Sequence, residues 1–176
     1  ANAYFTGFGS AKRVVFFDTL LRQLNPGEVD AVLAHALGHF KHKHVFKRLV
    51  SMFAMTLIGL ALLGYLSRQD WFYQGLGVAS DPGAAREALA LILFSLTLPL
   101  VSFFISPVMS LMSRRHEFEA DAFAVRQTSR EDLSSALLKL YEDNASTLTP
   151  DPVYAGFYYS HPDAAQRLSR IAAQAA

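Results

Sequence analysis

Cysteine is missing from this sequence, and charge is scarce. Without a thiol there is no disulfide framework and no thiolate metal site, so any metal must be held by His, Asp or Glu. The same absence suits a reducing compartment, or a membrane protein that needs no covalent staples. Only 18% of the 176 residues are charged and the net charge is +1, which gives no footing for a nucleic-acid partner. No secretory signal opens the chain. It begins inside a strand-like run, Ala3-Tyr4-Phe5-Thr6-Gly7-Phe8, as a piece of a longer protein would. Apolar residues are abundant: they make up 52%, and the mean hydropathy of +0.21 is high for a soluble chain. The length supports one ordinary domain with a substantial core.

The polar chemistry is gathered at a few places, and the first is Ala34-His35-Ala36-Leu37-Gly38-His39-Phe40. Two histidines four apart on a helix project from one face about a turn apart, so both imidazoles can reach one metal ion. H-x-x-x-H in an apolar helix is the skeleton of the zinc motif H-E-x-x-H. Position 36, where that motif carries its general-base glutamate, holds alanine. The helix is expected to start at Asn25-Pro26-Gly27-Glu28, with Asn25 as cap, Pro26 at the first helical position and Glu28 at the positive end of the dipole.

Before it, Asn2 to Phe8 and Arg13 to Phe17 read as a β-hairpin. It either packs on the helix behind it or offers a strand edge to an extended peptide. After it comes the basic run Lys41-His42-Lys43-His44-Val45-Phe46-Lys47-Arg48. His42 lies seven residues beyond His35, near the histidine face, but a solvated basic collar is the ordinary reading of the whole run. Leu49 to Leu66 and Ala88 to Met112 then carry no charge. At about 1.5 Å per residue each can cross, or nearly cross, a hydrocarbon core of about 30 Å. Pro99 and Pro107 in the second run are better tolerated in a membrane helix than in a soluble one. Trp71, Phe72 and Tyr73 between the runs suit an interfacial aromatic belt. Lys41, Lys43, Lys47 and Arg48 precede the first span and Arg114 and Arg115 follow the second, which puts both outer ends in the cytoplasm.

The second cluster is Arg114-Arg115-His116-Glu117-Phe118-Glu119-Ala120-Asp121. A helix continuing out of the membrane places Glu117 and Asp121 on one face, with Glu119 pointing roughly away. Two histidines need a further protein ligand, and a carboxylate completes a His₂Glu set. Glu117 is the choice for that ligand and Asp121 for the acceptor that orients a ligand histidine. The plainer alternative pairs these acids with Arg114 and Arg115 on a solvated face. Ser129 begins another amphipathic helix through an S-x-x-D start, with Leu133, Leu137, Leu138 and Tyr141 on one side. His161, just before Pro162, reads by chemistry alone as either a surface-loop histidine or a functional group.

Taken together these blocks resemble the type I CAAX prenyl protease family, integral-membrane zinc metalloendopeptidases of the gluzincin kind. The likeness runs through Asn2-Ala3-Tyr4-Phe5, Arg13 to Leu21, His35 to Phe40, the hydrophobic hairpin, Arg114 to Phe123, and Tyr159-Ser160-His161-Pro162 to Arg167. It implies a mainly α membrane protein. In this fold a zincin-like metallopeptidase domain carries a short N-terminal β-hairpin and a two-helix transmembrane hairpin. It also implies one Zn²⁺ per chain on His35, His39 and Glu117, supported by Asp121. His161 and Arg167 would lie over the site to bind substrate or stabilise the transition state, and Asn2, Ala3, Tyr4 and Phe5 would hold the substrate backbone. The expected organisation is a single domain. A β-hairpin region spans 1–24, the zinc-motif helix 25–48, the transmembrane hairpin 49–112, and the second metal cluster with the C-terminal helices 113–176.

In such a peptidase the glutamate of the motif takes a proton from the attacking water, a contribution of roughly 10²–10⁴-fold. Ala36 can neither accept that proton nor orient the water. Zinc ligation uses no atom of residue 36, and alanine favours the helix, so metal binding should survive. A deliberate inactivation is the leading account of Ala36, and a natural pseudoenzyme the other. The expected function is membrane-anchored zinc endopeptidase on peptide or protein substrates. These are either prenylated CAAX C-termini or damaged membrane proteins. The rival is a non-catalytic membrane protein that binds zinc or peptide without turnover. The lipid bilayer is the other expected partner, with the site toward the cytoplasm. Alanine and glycine content points to a bacterial inner membrane.

Overall fold

The computed structural model describes residues 3–6, 13–79, 85–144, 147 and 149–174. Two strands, β1 (Ala3–Thr6) and β2 (Arg13–Phe16), pair antiparallel with Ala3 opposite Phe16 and Thr6 opposite Arg13. Among the described residues the later elements are all helices: α1 (Asp18–Gln23), α2 (Pro26–Lys41), α3 (His44–Leu66), α4 (Asp70–Gly75), α5 (Arg86–Gln127), α6 (Arg130–Asp143), α7 (Pro152–Tyr158) and α8 (Ala164–Ala173). The chain separates into two compact units. One joins residues 1–45 to 107–176, and the other is 46–106.

In the first unit α2 starts as its sequence demands. The Asn25 side chain accepts from the Glu28 N–H at 2.9 Å, and a Glu28 carboxylate oxygen accepts from the Asn25 N–H at 2.8 Å. This reciprocal box satisfies two backbone donors that a helix start leaves orphaned. The same buried carboxylate ties α2 to α6, accepting from Ser135 Oγ at 2.6 Å and Lys139 Nζ at 2.7 Å. Burial would raise the Glu28 pKa, but these bonds outweigh it and hold the group below the usual carboxylate range. Ala31 and Ala34 of α2, Ala124 of α5, Leu133 and Leu137 of α6 and Ile171 of α8 close the core. Leu138, expected on that apolar side, is exposed instead, and Ala136 takes the inward position. Leu20, Leu24 and Ala136 form a neighbouring cluster against which Phe16, Val29 and Val32 pack.

The second unit holds most of α3 and the first half of α5. His44–Leu66 and Arg86–Gln127 each contain a window of membrane-spanning length, with hydropathy 2.1 and 2.5. Their large side chains face outward, Leu57 70%, Leu96 70%, Leu100 68% and Phe104 75% exposed, a density that soluble proteins bury. Pro99 and Pro107 sit inside α5 without ending it. At the far end of the hairpin Phe72, Tyr73, Ala90 and Leu93 pack together. The expected aromatic belt is thereby reduced to Trp71, because Phe72 and Tyr73 turn inward to join α4 to α5.

Candidate metal centre

The site begins with a glycine. A Cβ at Gly38 would meet Ala120 Cα and O at 3.0 Å and Phe123 Cβ at 3.2 Å. A residue without a side chain therefore lets α2 approach the backbone of α5 this closely. The approach sets His35 and His39 of α2 over Glu117 and Asp121 of α5, which share a face because they are four residues apart.

His35 Nε2 and His39 Nε2 lie 3.2 Å apart. Glu117 Oε1 is 3.3 Å from His39 Nε2, and Glu117 Oε2 is 3.6 Å from His35 Nε2. Ligands at zinc-like bond lengths of 2.0–2.1 Å around a tetrahedron are separated by about 3.3 Å. The three groups therefore stand at separations near that value, with one Glu117 oxygen toward each histidine, and they could hold a zinc-sized cation. The far nitrogen of His35 is committed elsewhere, since Nδ1 lies 2.8 Å from Asp121 Oδ1. A carboxylate only accepts, so the proton sits on Nδ1 and the Nε2 lone pair faces Glu117.

Asp121 is itself gripped. Arg167 Nε donates to its Oδ2 at 2.8 Å and the Arg167 NH2 group to Oδ1, a bidentate pair on buried groups. Arg167 NH1 stands 3.8 Å from Glu117 Oε2. His161 comes from the segment between α7 and α8, with Nδ1 3.3 Å from Glu117 Oε2 and the side chain 67% exposed. Two bonds place that segment: Tyr141 Oη donates to the Pro162 carbonyl at 2.8 Å, and Arg114 donates to the Tyr159 carbonyl at 2.7 Å. Arg114 is thus spent on backbone, and the alternative pairing of Glu117 with it does not form.

Charge in this pocket follows from its contacts. Burial would raise the Glu117 pKa, but its contacts with His161 and His39 and the nearby Arg167 charge hold it far below the usual range. Asp121 is likewise held down, against its burial, by His35 and Arg167. His35 is pushed below the ordinary imidazole value, chiefly by burial and also by the Arg167 charge, against the pull of Asp121. An ionised carboxylate beside a neutral imidazole is the protonation state that metal ligation requires.

Sequence reading placed His35, His39, Glu117, Asp121, His161 and Arg167 in one site, and the structure brings all six together. Ala36 lies beside His35 on α2, partly buried. Asn2 lies outside the described residues, and Ala3, Tyr4 and Phe5 form the backbone of β1. His42 is drawn off the histidine face because α2 ends at Lys41. Lys43 takes a left-handed φ of 55°, which turns the chain into α3. The collar reading fails at His44, which is 1% exposed, with Nδ1 3.0 Å from His39 Nδ1 and Nε2 2.9 Å from Glu119 Oε2. Burial drives the His44 pKa down to about 4, so the ring is neutral near pH 7. Both it and Glu119 were missed. A histidine five positions after His39, just past the helix end, was the available signal.

The sequence profile of peptidase family M48 matches residues 1–175. The chain belongs to peptidase family M48. Among similar proteins, CAAX prenyl protease 1 of Saccharomyces cerevisiae is 34% identical over 97% of this chain and 40% of its own. The CAAX prenyl protease 1 homolog of Arabidopsis thaliana is 35% identical, with the same coverage of 97% and 40%. The crystal structure of S. mikatae Ste24p is similar with a TM-score of 0.80 and 32% identity, covering 97% of this chain and 41% of that one. The M48 chain described here thus spans about two-fifths of the length of these relatives. Its fold, like that of Ste24p, is that of a mainly α membrane protein, with two helices long and apolar enough to cross a bilayer.

Proposed function

We propose that this chain is the zinc-binding part of a membrane metalloendopeptidase, with His35, His39 and Glu117 holding one Zn²⁺ and Asp121 orienting His35. The observation that carries the reading is the close approach of the three groups, with the two Nε2 atoms 3.2 Å apart and the Glu117 oxygens 3.3 Å from His39 and 3.6 Å from His35. Zinc bound there supplies Lewis acidity to a peptide carbonyl and acidifies a water. His161, exposed at the rim with Nδ1 toward Glu117, is the proposed donor, from Nε2 of its protonated ring, to an anionic oxygen developing on the substrate. Arg167 acts through Asp121, as its buried bidentate pairing leaves it little reach toward substrate. The backbone of β1 is the proposed edge for an extended peptide, with Asn2 at its start.

The missing function is proton transfer. The general base of the motif would stand at position 36, and Ala36 removes it, so the chain as it stands binds metal and peptide without efficient turnover. One base lost with every other site residue kept fits an inactivated endopeptidase, and a natural pseudoprotease is the second reading. The names of the similar proteins favour C-terminal CAAX processing over general membrane-protein quality control. The bilayer holds the apolar hairpin. The basic residues outside its ends favour the cytoplasmic side for the site.

The Ala36→Glu variant, zinc-loaded in detergent, is expected to cleave a prenylated CAAX peptide at least a hundredfold faster than the Ala36 chain. Casein in a parallel assay reports quality-control activity. Zinc bound without cleavage of either substrate would remove the peptidase reading and leave the pseudoprotease.

A further inference from the structure

We infer that His44 is a positioning residue that fixes the proton of His39 on Nδ1, through a chain from His39 to His44 to Glu119 built from groups outside the ligand triangle. The inference deepens the metal-site reading and rests on it for its consequence at zinc. Two imidazole nitrogens 3.0 Å apart share one proton, so either His39 or His44 must donate. Glu119 decides which. Its carboxylate 2.9 Å from His44 Nε2 only accepts, so His44 carries its hydrogen on Nε2 and presents a lone pair at Nδ1. His39 must then donate from Nδ1, in competition with the Glu117 carboxylate 3.3 Å from its Nε2, and the Nε2 lone pair is left for the metal. Asp121 does the same for His35 in one step. Each ligand histidine therefore has its own carboxylate, one direct and one relayed through a second imidazole.

The ring of His44 is held for this task. It is almost fully buried, and His116 stacks on it at 4.1 Å with 14° between the planes. His42 lies near parallel at 5.5 Å. The left-handed turn at Lys43 starts α3 at the residue whose ring must point back to His39.

The test uses the full chain in detergent, ¹⁵N-labelled at histidine, with zinc affinity read by chelator competition. In zinc-free protein, the ¹⁵N shifts of His39 should report the Nδ1–H tautomer. The opposite tautomer would overturn the inference whatever zinc does. His44→Phe should weaken zinc roughly ten- to hundredfold, while His44→Asn, whose side-chain oxygen can still accept from Nδ1–H, should recover most of that loss. Glu119 is partly exposed and safe to change. Glu119→Leu should weaken zinc several-fold, and Glu119→Gln, which keeps an acceptor, should not. Equal losses in His44→Phe and His44→Asn, with Glu119→Leu unchanged, would reject the relay in favour of simple packing. Two zinc ions in the parent, with His44→Phe losing only one, would instead make His44 a ligand with His42 and Glu119. A parent that binds no stoichiometric zinc sinks the metal-site reading, while the tautomer measurement still decides the relay.

Discussion

At the residue scale the site is a problem of keeping lone pairs and charges in the right hands. His35 is useful to a metal only in the tautomer that leaves Nε2 free, and Asp121 imposes it at 2.8 Å. Arg167 keeps Asp121 ionised and aimed. Asp121→Asn halves that control. The amide can still accept from Nδ1–H, but it loses the charge and gives Arg167 only one good acceptor. Zinc affinity measured by chelator competition is expected to fall roughly ten- to hundredfold. The metal-free chain should keep its helical circular dichroism, because the core of α2, α5, α6 and α8 contains none of these atoms. An affinity equal to that of the parent would show that His35 needs no orienting charge.

At the scale of elements, what could be read in advance was what is local. The Asn25 cap and the Ser129 start depend on neighbours three residues away, and both form, while Glu28, expected only at the dipole, also closes a capping box. Glu117 and Asp121 were legible for the same reason, as helical spacing alone puts them on one face. His44 was not. Its role depends on a turn at Lys43 that no residue nearby announces, and on Glu119, 75 residues downstream, swinging to meet it. Phe72 and Tyr73 misled because an aromatic at a membrane boundary and an aromatic in a core look alike until their neighbours are known. Gly38 was in view within the motif but unexplained, since its reason is the backbone of α5. Gly38→Ala tests that reason. A methyl group forced against Ala120 should cost about 1–3 kcal/mol as overpacking, despite the better helix propensity of alanine. It should also spread the ligand triangle, so thermal midpoint and zinc affinity fall together. A raised midpoint with unchanged zinc binding would mean the helices are free to part.

At the scale of the whole molecule the question is which side of a bilayer each end meets, and the absence of cysteine makes it answerable. Six basic residues, Lys41, Lys43, Lys47, Arg48, Arg114 and Arg115, flank the outer ends of the apolar hairpin. In the linker the charges are mixed, and Arg86 is already paired to Asp70 at 2.8 Å, which leaves little positive excess to hold that end in the cytoplasm. Ala79 in the linker and Ser169 on α8 are both exposed, and cysteine is a small replacement that either position can take. With the chain expressed in a bacterial inner membrane, a membrane-impermeant maleimide should label Ala79→Cys in intact cells. Ser169→Cys should label only after permeabilisation, and the parent should give no signal in either case. Labelling of both positions from one side would show that the apolar pair does not cross as a hairpin. Labelling of Ser169→Cys alone in intact cells would invert the topology and carry the metal centre out of the cytoplasm.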